Sequence, residues 1–300
     1  MPQGAREIRR RIASIQSTQQ ITKAMEMVAA ARLRRSQGRV LSARPFSDKL
    51  HDVLARAVAA VQASGVGYHH PLLQAPDPER PPLYVIITAD RGLAGPYNAN
   101  VIRHAFALRA RHPEMGVVVV GRKGRDAFQK AGWRFEGVFL HLEDEVPFTA
   151  AQEISRIVSQ AFMDGRYSSV HLVYNAFINT VTHRTVDVPL LPIQSLEQMA
   201  EERVGRPGDR EATVQEYLYE PSPQAVLDIL LPRYVDIAIY RALLEAKTSE
   251  FASRMTAMRN ASDNAQELIR VLTLSLNRAR QAGITTEITE IVGGANALAE

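Results

Sequence analysis

The sequence predicts an α/β domain held between two long terminal helices that pair as a coiled coil, and three observations predict it. Leu230, Ile237, Leu244, Phe251, Met258, Ala265, Leu272 and Ala279 recur every seven residues within 224–282, a stretch nearly free of glycine. A second stretch, 5–62, contains no glycine but Gly38 and no proline but Pro45. Between the two, short all-apolar runs alternate with helical patterns, as in a parallel sheet covered on both faces.

A strict heptad keeps one apolar seam facing one partner, because a left-handed supercoil at 3.5 residues per turn cancels the drift of a straight helix. At 1.5 Å per residue the C-terminal helix would reach roughly 90 to 110 Å and the N-terminal one roughly 80 to 90 Å. Each therefore needs a long partner, and each is the other's candidate, so the expectation is an antiparallel rod. On the N-terminal helix Ile8, Ile12 and Ile15 open a stripe at helical spacing, and Ile21, Met25, Val28 and Leu33 continue it less regularly.

Residues from Gly65 to Pro82, rich in Gly, His and Pro, form a linker that interrupts the helical pattern. Residues 83–88 (LYVIIT) read as a buried strand, then a turn-rich loop and a helix from about Tyr97 to Arg111. Residues 116–121 (GVVVVG) give a second buried strand, Lys123 to Ala131 a short helix, and Trp133 to Phe139 a further strand. A helix over Thr149 to Met163 follows Pro147, then a strand over Ser169 to Tyr174. Thr180 to Leu191 adds an edge strand stopped by Pro189 and Pro192, and Glu197 to Arg210 reads as a loop. Ser222 as N-cap and Pro223 in the first turn launch the last helix, in which Pro232 should introduce a kink or mark the regular start. The expected domains are an N-terminal shaft helix 1–64, a Rossmann-like α/β domain 65–220 on a mostly parallel sheet, and a C-terminal shaft helix 221–300.

Composition narrows the function. There is no cysteine, so disulfides, thiolate nucleophiles and cysteine metal sites are excluded. No apolar run reaches membrane-span length and no signal peptide is visible, so contact with a membrane is expected only through partners. Residues 1–44 hold ten Lys or Arg against Glu7 and Glu26, a balance of +8 in a chain of net charge +4. Such a helix is either a solvated face or a surface for an acidic partner.

No catalytic constellation stands out. The chain has neither G-x-G-x-x-G after the first strand nor a P-loop, and Gly121 to Gly124 is too short to cradle a phosphate. Asp90 and Arg91 have no third group at motif spacing, and His69-His70 has no further ligand nearby. No catalytic residue, cofactor site or metal site is assigned. Nucleic-acid binding is not expected either, because the first 45 residues lack aromatic stacking platforms and known nucleic-acid motifs.

Several stretches resemble the gamma subunit of F-type ATP synthase: AREIRRRIASI at 5–15, STQQITKAMEMVAA at 17–30 and ITTEITEIVGGANA at 284–297. DRGLAG at 90–95, FINT at 177–180, YLYEP at 217–221 and RMTAMR at 254–259 with Asp263-Asn264 follow in the family's order. The resemblance implies a central-stalk rotor whose two long helices turn inside a ring of alpha and beta subunits, with the α/β domain as a foot over the membrane c-ring and beside an epsilon subunit. It implies coupling of proton flow to ATP synthesis or hydrolysis, with the chemistry on beta, and a place on the cytoplasmic face of the bacterial cell membrane.

Carried over by position, the partner-coupling residues are Lys23, Met25, Arg254, Arg280, Gln281, Thr285, Glu287 and Glu290. In the family the region of Lys23 lies against acidic loops of beta. Glu287 and Glu290 share one helix face, and Ile284, Ile288 and Ile291 another. Ala94 stands where many relatives have cysteine, and the two-cysteine insertion of chloroplast relatives is absent. The reading from a different class is an α/β-domain enzyme with a coiled-coil oligomerisation arm.

Overall fold

In the computed structural model, which describes residues 3–63, 68–73, 77–179, 182–193 and 219–297, one sheet contains β1 (Leu83–Ile87), β2 (Gly116–Val120), β3 (Gly137–Phe139), β4 (Val170–Phe177) and β5 (His183–Leu191). Its order is β3-β2-β1-β4-β5. β1 pairs in parallel with β2 and β4, β2 in parallel with β3, and β5 runs antiparallel to β4. The helices are α1 (Gln3–Ala63), α2 (Tyr97–Arg111), α3 (Arg122–Lys130), α4 (Phe148–Met163) and α5 (Pro223–Ala297). The chain divides into two compact units, Met1–Ala30 with Arg254–Glu300, and Ala31–Ser253, so each long helix contributes to both.

In the α/β unit the two-residue period of the strands sorts the core. Tyr84, Ile86, Val117, Val119 and Val173 meet α2 and α3 on one face, through Val101, Ala105, Leu108 and Phe128. Leu83, Val85, Ile87, Val118, Val120 and Leu172 turn to the other face. That second face is covered by Ile154, Val158 and Ala161 of α4, together with Leu54, Ala57 and Val58 of α1 and Leu227, Leu231, Val235 and Ile239 of α5. The inner halves of the long helices are thus part of the sheet's own core. This also explains why Leu230 and Ile237, the first two rungs of the ladder, are only half-buried while their neighbours facing the sheet are fully buried.

Two expectations need correction, and the linker and Pro232 can be placed. The strand expected over Trp133 to Phe139 pairs only from Gly137, because Trp133 turns into the core, stacked on Phe128 with ring centroids 4.4 Å apart. Pro189 does not stop β5: it sits opposite His171 beside a bulge, and an edge strand tolerates the missing donor. The linker between Gly65 and Pro82 is described in part. It holds a 3-10 turn, Pro71–Leu73, which buries Leu72, and Ile193 N donates to Leu72 O at 2.9 Å. Pro232 lies inside α5, which already begins at Pro223, and is not its start. Ser222 does cap that helix, its Oγ accepting from Ala225 N at 3.2 Å. The stretch Glu197 to Arg210 and the first two residues of YLYEP lie outside the described residues.

Candidate partner-coupling surface

In the two-helix unit, Glu26 near the end of one segment pairs with Arg259 near the start of the other, which sets the segments antiparallel. On α5 the least exposed positions alternate four and three apart: Met258, Ser262, Ala265, Ile269, Leu272, Leu276, Ala279 and Gly283. The ladder supplies every second rung. On α1 the same spacing runs through Ile8, Ile12, Ile15, Gln19, Thr22, Glu26 and Ala29.

This overturns part of the expected stripe, since Ile21 is 58% exposed and Val28 52%. Beyond Ile15 the seam is made of polar and small residues, which a search for apolar spacing passes over. Such residues let two helices approach closely and fix their register at a cost in adhesion.

The seam's charged member is Glu26, which the sequence reading counted only as one of two acids in a basic helix. Its carboxylate accepts from Lys23 Nζ at 3.0 Å and from Arg259 Nε at 3.0 Å. Those hydrogen bonds, Lys23 first, hold the Glu26 carboxyl below its ordinary range against the opposing effect of burial. The signal in the sequence was its place in the spacing Gln19, Thr22, Glu26, Ala29, one turn after Lys23.

The expected coupling residues fall around this seam and not at one point. Lys23 is exposed and engaged with Glu26, and Met25 is half-buried at the seam's edge. Arg254 is half-buried, four residues before the first two-helix rung, Met258. Arg280, Gln281 and Thr285 are exposed, with Thr285 Oγ1 donating to Gln281 O at 3.0 Å. Glu287 and Glu290 lie on α5, and their side chains fall outside the described residues. Met27, Leu268, Val271 and Leu274 are exposed apolar residues that the sequence reading missed, and Ile284, Ile288 and Ile291, expected to share a face, are exposed. Apolar side chains repeated along a helix pair, on faces its own seam does not use, are what a surrounding partner would cover.

The enzyme alternative meets a different geometry at the sheet. In the order β3-β2-β1-β4 the connections reverse direction between β1 and β4, and a ligand crevice would open beyond the strand ends there. That position is filled. Tyr97 is buried with its hydroxyl donating to Ala246 O at 3.1 Å, and buried Asn175 donates to Tyr97 O at 2.9 Å. The void left between Thr88, Gly121 and α5 measures about 10 Å³, room for one water.

The DRGLAG loop is engaged in structure as well. Asp90 Oδ1 accepts from Arg122 N at 2.9 Å and holds the start of α3, while Asn98 Oδ1 accepts from Ala89 N at 2.9 Å. Gly121, at φ +91°, is required because a Cβ there would sit 2.2 Å from Thr88 O. His70 accepts from Leu72 N at 3.2 Å, a turn contact rather than a ligand position, and no group of three or more potential metal ligands occurs among the described residues.

The class defined by this geometry is a subunit with a two-helix unit that exposes apolar faces outside its own seam, and an α/β unit whose crevice at the strand ends is filled by its own side chains. Residues 4–298 match the ATP synthase family, and the chain belongs to it. It is 50% identical over 295 residues to the ATP synthase gamma chain of Heliobacterium modesticaldum, covering 98% of this chain and 99% of that one. It is 46% identical over 300 residues to the gamma chain of Symbiobacterium thermophilum, with 99% of each covered. Among solved structures, a chain of the central stalk and c-ring of the Tetrahymena thermophila mitochondrial ATP synthase aligns with a TM-score of 0.60 at 26% identity, over 81% of this chain and 99% of that chain. A chain of the Euglena gracilis mitochondrial enzyme aligns with a TM-score of 0.67 at 20% identity, over 98% and 94%, and supports the fold.

Proposed function

We propose that this chain is the central-stalk rotor of an ATP synthase. The observation that carries it is the helix pair, closed on itself along one seam of mixed apolar, small and polar residues while presenting apolar and cationic side chains outward along its length. In this reading residues 3–30 and 254–297 turn inside a ring of alternating alpha and beta subunits, and the α/β unit is the foot that meets the membrane c-ring and an epsilon subunit. The chain itself performs no chemistry. It acts by presenting different faces to three beta subunits in turn, and a shaft face that binds one conformation of beta better than another shifts that subunit's nucleotide affinity.

The coupling groups are Lys23 and Met25 on α1, and Arg254, Arg280, Gln281, Thr285, Glu287 and Glu290 on α5. No described helix is long and apolar enough to cross a membrane, so attachment to the cytoplasmic face of a bacterial cell membrane runs through the c-ring. Mixed with alpha and beta subunits, the chain should yield a cooperative ATPase while showing no turnover alone. Robust hydrolysis by the isolated chain would instead favour the enzyme reading. Deleting Ile284 to Glu300 should lower torque or assembly of the complex and leave the α/β unit folded, and unchanged complex activity would remove this segment from the coupling surface.

A further inference from the structure

Glu26 differs from the ion pairs on the surface of the two helices. It is 6% exposed, and each carboxylate oxygen takes a different cation: Oε2 meets Lys23 from the same helix and Oε1 meets Arg259 from the other, both at 3.0 Å. A buried carboxylate left alone is strongly unfavourable, but this one has two partners and needs only one. The partners are also unequal. The two side chains are equally exposed, 59% for Lys23 and 60% for Arg259, and the inequality is chemical: Lys23 sits one turn away on the same helix with its ammonium on a flexible stem, and pairs at this spacing are weak. Arg259 presents a planar guanidinium across the seam, better suited to remain with a carboxylate.

We propose that Glu26 is a positioning residue for Lys23: it parks the ammonium against the helix and releases it to a carboxylate on an acidic partner surface, while Arg259 keeps the buried charge paired. The inference rests on the reading of Lys23 as a coupling residue. An acidic protein surface is the partner that this helix attracts, because within the two-helix unit residues 1–30 carry Arg6, Arg9, Arg10, Arg11 and Lys23 against Glu7 and Glu26, and the four arginines are all exposed. The exchange moves no proton. When Lys23 leaves, the Arg259 hydrogen bond, which also favours the ionised carboxylate, remains at 3.0 Å, and one ion pair replaces another, so the step can reverse at each pass of the partner.

The test uses the complex with alpha and beta subunits. The chain has only five lysines, Lys23, Lys49, Lys123, Lys130 and Lys247, so ¹³C-dimethylation gives few resonances and Lys23→Arg identifies the one that matters. In the isolated chain Glu26→Gln should move the Lys23 resonance. In the wild-type complex that resonance should take a second position absent from the isolated chain. A Lys23 signal that ignores Glu26→Gln, or is the same in the chain and the complex, overturns the proposal.

Turnover gives an independent reading. Arg259→Met leaves Lys23 as the cation that Glu26 must keep, so ATPase turnover of the complex should fall several-fold. Arg259→Lys should restore it, as should Glu26→Gln added to Arg259→Met. If turnover merely follows the melting temperature of the chain across these variants, Glu26 is a structural pin and the handover is wrong. Lys23→Ala separates the two layers. Unchanged coupling in that variant removes Lys23 from the coupling surface altogether, whereas impaired coupling without a second Lys23 position removes the handover alone.

Discussion

The sheet and the helix pair solve opposite problems with the same two helices. In the α/β unit, residues 227–246 of α5 bury side chain after side chain against strands and α4, and Leu227, Leu231, Val235 and Ile239 are fully enclosed. In the two-helix unit the same helix buries one residue in three or four, and beyond Ala265 its seam positions are only half-buried. An element that packs on several sides is stable by itself, and one that packs on a single seam leaves most of its surface for something else. The contrast assigns the sheet to rigidity and the outer helix pair to contact with partners.

The largest expected effect tests that contrast. Phe128→Ala, at a fully buried ring stacked on Trp133, should cost about 3 to 5 kcal/mol in denaturant unfolding of the isolated chain. Met258→Ala in the seam should fall nearer about 2 kcal/mol and appear as faster amide exchange confined to the helix pair. Equal and global losses from the two changes would break the distinction between the units.

Next in size is the cap: Ser222→Ala should lower stability by about 1 kcal/mol, because Ala225 N loses its acceptor at the start of α5. A carboxyl whose value is lowered in the folded chain stabilises fully above the ordinary range, and that contribution is lost as pH falls through the lowered value. Amide exchange over residues 20–30 should therefore quicken on acidification, and Glu26→Gln should flatten that response. An unchanged acid response in the variant would mean that other carboxylates set it. The smallest effect on stability sharpens the contrast most: Ile288→Ser should change unfolding of the isolated chain by less than about 0.5 kcal/mol. The same substitution should weaken assembly with alpha and beta subunits, measured by titration.

The seven-residue ladder made the C-terminal helix legible, and all-apolar runs made β1 and β2 legible, because burial on both faces leaves a continuous apolar pattern. The α1 seam was not legible in the same way. Its rungs at Gln19, Thr22 and Glu26 are polar, so apolar spacing pointed instead to Ile21 and Val28, which face outward. The end of the edge strand was misread because proline forbids only a donated hydrogen bond, and at Pro189 the sheet needs none. The coupling residues came from resemblance to a family, and the fold distributes them along two helices instead of gathering them into a pocket.

By itself, the sequence determined the C-terminal helix and the mostly parallel sheet, which follow from local periods of apolar residues, and the N-terminal helix, which follows from a long stretch nearly free of glycine and proline. Only the tertiary structure decided which side chains close the seam, that the inner halves of both helices complete the core of the sheet, and that Tyr97 and Asn175 fill the crevice at the strand ends. Those outcomes depend on what lies opposite each residue across long separations in the chain. Glu26 shows the reason most directly, because a charge in a helix stripe reads as surface until Arg259, from the far end of the sequence, arrives beside it.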